Sequence, residues 1–144
     1  MDDIMSTIYL VKNIKELFPE NVLLVKIGTF YESYNYDAYI ISYLFNYKMK
    51  TLIDGDKNCG FPTNSLNKVL SMLENKSINY IVVDKKHNYE EETKMNFKRK
   101  NKYNELLTKS MKYIDKINRI NKIRNYLLNH DSKIESVEKL IYEG

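Results

Sequence analysis

The sequence predicts a mixed α/β (α+β) fold, a compact β-sheet flanked by helices and followed by a C-terminal helical hairpin. Three observations carry this reading. Strand-like apolar runs alternate with helix-spaced segments up to about residue 86. Beyond that the chain turns polar and charged, and from Lys102 onward only helical spacing is present. With 144 residues and 43% hydrophobic content, the chain is long enough to bury one core. The expected division is 1–100 for the α/β domain and 101–144 for a long basic helix plus a short one.

Each element follows from local pattern. Ser6 or Thr7 is placed to cap a helix carrying Leu10, Val11, Ile14, Leu17 and Phe18 at three- and four-residue spacing, with Pro19 ending it. "NVLLVKIG" reads as a buried strand, and "TFYESY" turns back as a second, shorter one. "NYDAYIISYLFNY" sets Ala38, Ile41, Leu44 and Phe45 on one helical stripe. "KMKTLI" is a third strand and "DGDKN" a turn cluster. "CGFP" then leads, through Thr63 or Asn64 as a cap, into a helix with Leu66, Val69, Leu70 and Leu73 inward. "NYIVVD" is a central strand. The expected order is α-β-β-α-β-(β)-α-β.

The following "KKHNYEEETKMNFKRKNK" reads as a loop or as one edge strand near "KMNFK". In it, Glu90 to Glu92 form a solvated loop or a helix start facing Lys94. From about Lys102 to Asn129 one long helix is expected, roughly 42 Å in length. Its Ile114, Ile117, Ile120 and Ile123 step by three, so the apolar stripe drifts about 60° per step and wraps around the axis. "DSKIESVEKLIYEG", capped by Asp131 or Ser132, offers Ile134, Val137, Leu140 and Ile141 for folding back on it.

Composition excludes several classes. There is no run of about 18 apolar residues, so no membrane-spanning helix is expected. The "MDDIM" start is acidic and lacks an apolar segment, which predicts no secretory signal. One cysteine, Cys59, rules out an internal disulfide and fits a reducing, cytoplasmic setting. The formal charge of +4 is split unevenly. Residues 1–93 carry 10 Lys/Arg against 13 Asp/Glu, residues 94–124 carry 11 against 2, and residues 125–144 carry 2 against 4. The middle block, at +9, suits a polyanion, although a lysine-rich helix also reads as solvated surface.

No catalytic motif is present. The sequence lacks G-x-x-x-x-G-K-[ST], G-x-G-x-x-G and G-x-S-x-G. His87 and His130 have no Cys or carboxylate at ligand spacing. Cys59 has no nearby His and reads as a small buried residue. Asp54 and Asp56 lack the other oxygen ligands of a calcium loop. The expectation is a non-enzymatic chain with no catalytic residue, no metal site and no cofactor. What remains is "GTFYESY". Phe30 and Glu32 lie two apart on a strand and share a face, with Tyr31 pointing the other way. The pair reads either as ordinary packing plus solvation or as a recognition element.

"KIGTFYESYNYDA" resembles the signature of the amino-terminal mismatch-recognition domain of MutS proteins: an apolar strand, G-D-F-Y-E, an aromatic, then D-A opening a helix. Phe30, Tyr31, Glu32, Asp37 and Ala38 match without a gap. "CGFPTNSLNKVLSMLENKSINYIVVD" is similar to the family's G-[IV]-P, helix and strand unit, with Gly60 and Pro62 in register. The resemblance covers about residues 6–86. It departs at Thr29, where the family usually has Asp, and in a shorter turn before Gly60. No segment here resembles the family's connector, lever, clamp or ATPase domains, so a stand-alone domain is expected. The resemblance implies that Phe30 wedges into the minor groove beside a mispaired base and that Glu32 hydrogen-bonds the displaced base.

The expected function is therefore binding of mismatched or distorted duplex DNA through Phe30 and Glu32. Because the α/β part is net negative, Lys98, Arg99, Lys100 and Lys102, and the basic helix behind them, are expected to contact phosphates. Phe30 is expected to be exposed on the same side as these residues. The alternative is a protein-interaction or oligomerisation module on the same scaffold, driven by the C-terminal helices. Structured RNA is a third possible ligand, one that gives Phe30 no role.

Overall fold

The computed structural model describes residues 2–85 and 91–143, with side-chain detail over 6–84 and 93–143. Two compact units are present, Met1–Met111 and Lys112–Gly144. The first holds the sheet. Its elements run α1 (Asp2–Leu17), β1 (Val22–Ile27), β2 (Phe30–Tyr34), α2 (Tyr36–Phe45), β3 (Met49–Thr51), β4 (Lys57–Pro62), α3 (Leu66–Asn75), β5 (Tyr80–Lys85) and β6 (Glu91–Met95). Then α4 (Tyr103–Leu128) begins within the first unit and continues into the second, where α5 (Asp131–Tyr142) follows.

The sheet order is β3-β4-β2-β1-β5-β6. β1 and β5 are parallel, and every other neighbouring pair is antiparallel. Its two faces are covered unequally. On one face Val22, Leu24, Tyr31, Phe61, Tyr80 and Val82 pack with α2, α3 and the first turns of α4, through Ala38, Ile41, Val69, Leu73, Tyr103 and Leu106. On the other, Leu23, Val25, Ile81 and Val83 meet only Leu10, Val11 and Ile14 of α1. α1 thus covers β1 and β5, and the same face continues over β2, β4 and β3 beyond that cluster.

Several expectations need correction. The first helix starts at Asp2, ahead of Ser6 and Thr7, and its Leu17 is exposed. "CGFP" belongs to a full strand, β4, inserted between β3 and β2. Thr63 and Asn64 cap nothing: a 3-10 turn over Thr63–Ser65 leads into α3, and no side-chain cap bond forms there. The charged stretch does carry an edge strand, but it starts at Glu91 and pairs Lys94 with Val82, so no helix begins there. Glu90 and His87 lie outside the described residues.

The two C-terminal helices are present. α5 follows His130 with no side-chain cap from Asp131 or Ser132. Of the residues expected to bury α5 on the long helix, Ile134, Leu140 and Ile141 are exposed and Val137 is half-buried. Ile120 and Ile123 of α4 are likewise exposed. Among the described residues, no helix is long and apolar enough to cross a membrane.

Candidate nucleic-acid interface

Phe30 owes its position to the hairpin that precedes it. Only Gly28 and Thr29 separate the paired residues Ile27 and Phe30. Gly28 sits at φ 62, a conformation that costs glycine nothing and that a tight two-residue hairpin needs at its first position. The turn is braced where the Thr63 N–H donates to the Thr29 carbonyl at 3.0 Å. Strand alternation then does the sorting. Tyr31 turns inward and stacks on Phe61, with ring centroids 5.9 Å apart. Ser33 is buried and donates to the Cys59 carbonyl at 2.7 Å. Phe30 is left 44% exposed on the opposite face, with Glu32 half-buried beside it. The expected exposure of Phe30 and its pairing with Glu32 are both observed.

Glu32 is not simply solvated. Asn58 donates its side-chain amide to Glu32 Oε2 at 2.8 Å, and the same nitrogen lies 3.2 Å from the Ser33 carbonyl oxygen. Directly opposite Glu32 in the ladder stands Gly60. A Cβ there would lie 2.7 Å from Glu32 Cδ, so the glycine leaves the space in which the carboxylate rests. Phe30, Glu32, Tyr47, Lys48, Lys50, Asn58 and Gly60 line one groove of about 300 Å³. Its far wall follows from the end of α2. Asn46 adopts the left-handed conformation that stops the helix and turns the chain into Tyr47 and Lys48. Tyr47 is fixed by stacking on Phe45 and Phe61, at 5.5 and 5.9 Å.

The carboxylate is felt by its neighbours. Burial, with the Glu32 charge as a lesser cause, pushes the Tyr34 hydroxyl up to about 12. The same two causes, in the same order, push the Cys59 thiol up to about 12. Cys59 is the small buried residue the sequence predicts, with its thiol toward the Tyr47 carbonyl at 3.8 Å.

The basic loop lies elsewhere. Lys98, Arg99, Lys100 and Lys102 are exposed, on the segment between β6 and α4. That segment is tied to the start of β5. Asn96 accepts from the Tyr80 N–H at 2.7 Å, the Lys98 N–H donates to Asn79 at 2.9 Å, and the Lys102 N–H donates to the Ser77 carbonyl at 2.9 Å. Tyr80 is paired with Val22 at the beginning of β1, whereas Phe30 is paired with Ile27 at its end. Five residues of strand separate the two, about 17 Å. The expectation that Phe30 and these four residues share one side is therefore corrected: the structure brings Phe30 and Glu32 together and sets the basic loop at the opposite end of the strands. The cations beside Phe30 are Lys48 and Lys50. Sequence reasoning missed them, together with Asn58, because only the β2–β4–β3 register places them there.

The MutS domain I family model matches residues 6–113 of the chain. This chain belongs to the MutS domain I family. The matched span takes in all six strands and the first turns of α4, nearly the same residues as the first compact unit. Membership brings a MutS-like DNA-binding fold and an association with mismatch repair. No curated protein matches the chain at a significant level.

Proposed function

We propose that this MutS domain I protein is a non-enzymatic DNA-binding module that prefers mispaired or distorted duplex. Phe30 enters the minor groove as a wedge, and Glu32 accepts a hydrogen bond from the displaced base. The observation that carries the reading is the side-by-side presentation of a half-exposed phenyl ring and a positioned carboxylate on an uncovered sheet face. A wedge must unstack a base step at a cost of a few kcal/mol, and a mismatched step is the least costly to unstack and bend. A carboxylate among phosphates is repulsive unless it accepts a hydrogen bond, which gives Glu32 a base rather than the backbone as its partner. The single buried cysteine, free of any disulfide, fits work in the cytoplasm.

The test is fluorescence anisotropy with matched and mismatched duplexes. Phe30→Ala should lose the preference for the mismatch while matched-duplex affinity changes little. An unchanged preference refutes the reading.

A second reading draws on the C-terminal unit. Ile120, Ile123, Leu140 and Ile141 are exposed there, α4 is basic beyond Lys112, and α5 is net acidic. A second copy of the chain, setting acidic α5 against basic α4, is the partner this pattern fits. Sedimentation of wild type and of Leu140→Asp/Ile141→Asp decides it: a dimer that the double variant dissolves supports this reading, and a monomeric wild type ends it.

A further inference from the structure

We propose that Lys48 and Lys50 are the phosphate contacts of the Phe30 groove, and that this pair rather than the loop at Lys98–Lys102 holds the duplex backbone beside the inserted ring. The assignment deepens the reading of Phe30 and Glu32 given above and rests on it for the placement of the duplex.

The register builds the site row by row. Lys50 pairs with Asn58, which pairs with Tyr34, so these three lie in one row across the sheet. Residues directly opposite one another in an antiparallel ladder present their side chains to the same face. Gly60 and Glu32 form the adjacent row, and Pro62 and Phe30 the next. Lys48, just before β3, lines the same groove. Gly60 contributes no side chain, and the Glu32 carboxylate lies in the space this leaves. The result is one face carrying, in order, a phenyl ring, a hydrogen-bond acceptor and two ammonium groups.

The spacing suits a nucleic-acid backbone. β3 lies two strands from β2, about 10 Å across the sheet. The minor groove is about 6 Å wide and 7.5 Å deep. A ring inserted into it at β2 therefore brings a flanking strand of phosphates over β3. Lys48 and Lys50 are exposed, and among the described residues neither makes an ion pair, so both charges are available. Among the described residues Glu32 is the one carboxylate lining the groove, and one of its oxygens already accepts a hydrogen bond from Asn58. The loop at Lys98–Lys102, about 17 Å away along β1, cannot serve the same base step.

The experiment is a salt series of anisotropy titrations with Lys48→Gln/Lys50→Gln, on one matched and one mismatched duplex, beside Lys98→Gln/Lys100→Gln. Two phosphate contacts contribute about −1.8 to the slope of log affinity against log salt. The groove variant should lose about that much slope on both duplexes. Its ratio of mismatch to matched affinity should persist, because phosphate contacts position without reading sequence. Circular dichroism should show both variants folded, since the altered side chains are exposed. A wild-type slope and affinity in the groove variant overturn the assignment, as does a complete absence of duplex binding at low salt. Phe30→Ala, run in parallel, separates the two claims. If it leaves the mismatch preference intact while the groove variant loses slope, the wedge reading fails and the lysine assignment stands. If it abolishes the preference while the groove variant behaves as wild type, the lysine assignment fails alone.

Discussion

Two carboxylates from one short stretch, Glu32 and Asp37, meet opposite fates. Asp37 is 2% exposed and fully engaged. Lys15 of α1 pairs with its Oδ1 at 3.0 Å, the Tyr103 hydroxyl of α4 donates to the same oxygen at 2.6 Å, and the Leu23 N–H of β1 donates to Oδ2 at 3.0 Å. Burial pushes its carboxyl up, against the opposing pull of Lys15 and the two hydrogen bonds. Burial, then the neighbouring Asp37 charge, raises the Tyr103 hydroxyl. Glu32, by contrast, has one side-chain partner among the described residues, Asn58, and borders a groove open to solvent. Matching a family motif therefore does not mark a residue as functional. Asp37 joins two helices and a strand around the helix it opens, whereas Glu32 is held by Asn58 at the edge of an open groove.

This contrast can be broken from either side, and the largest effect is expected at Asp37. Asp37→Ala leaves Lys15, the Tyr103 hydroxyl and the Leu23 N–H without their shared acceptor, and should cost about 3 kcal/mol of stability. A denaturant midpoint measured against wild type checks it; a loss within about 0.5 kcal/mol would make the network ornamental. A smaller effect is expected from pH. The folded thiol of Cys59 is pushed up to about 12, above the ordinary value of about 8.5 for an exposed thiol. Its contribution to stability is therefore fully present below about pH 8.5 and is lost as pH rises toward 12. Between pH 8.5 and 10 Cys59 should add no more than about 1.4 kcal/mol per pH unit to the loss of stability, and Cys59→Ala should show a flatter profile than wild type. Equal slopes in the two proteins would refute the burial assigned to this thiol.

The smallest change in stability belongs to Gly60→Ala, which tests the Glu32 side. The added methyl meets the flexible end of Glu32 rather than backbone, so the fold should persist while the carboxylate swings off Asn58. Mismatch affinity should fall severalfold, and the Asn58 side-chain amide resonance should move as it does in Glu32→Ala. An unmoved Asn58 resonance would show that the glycine is not what seats the carboxylate.

Much of this was legible in the chain. Helix spacing located Val69, Leu70 and Leu73, and strand alternation separated Tyr31 from Phe30 and Glu32. Local periodicity reports which side of an element is apolar, and that information is carried by neighbours in sequence. β4 was only half visible because "KNCGFP" shows neither clean alternation nor an apolar run; it is a strand because β2 and β3 pair with both its edges. Nothing in the local pattern around Tyr103 shows that its hydroxyl donates to Asp37, 66 residues away. Sequence by itself determined the strand that presents "FYESY", the alternation that turns its Phe and Glu outward, and the family to which that pattern belongs. Tertiary structure alone decided which charges stand beside them. Strand register, a long-range property, placed Lys48, Lys50 and Asn58 in the groove and carried the more conspicuous Lys98–Lys102 cluster to the other end of the sheet.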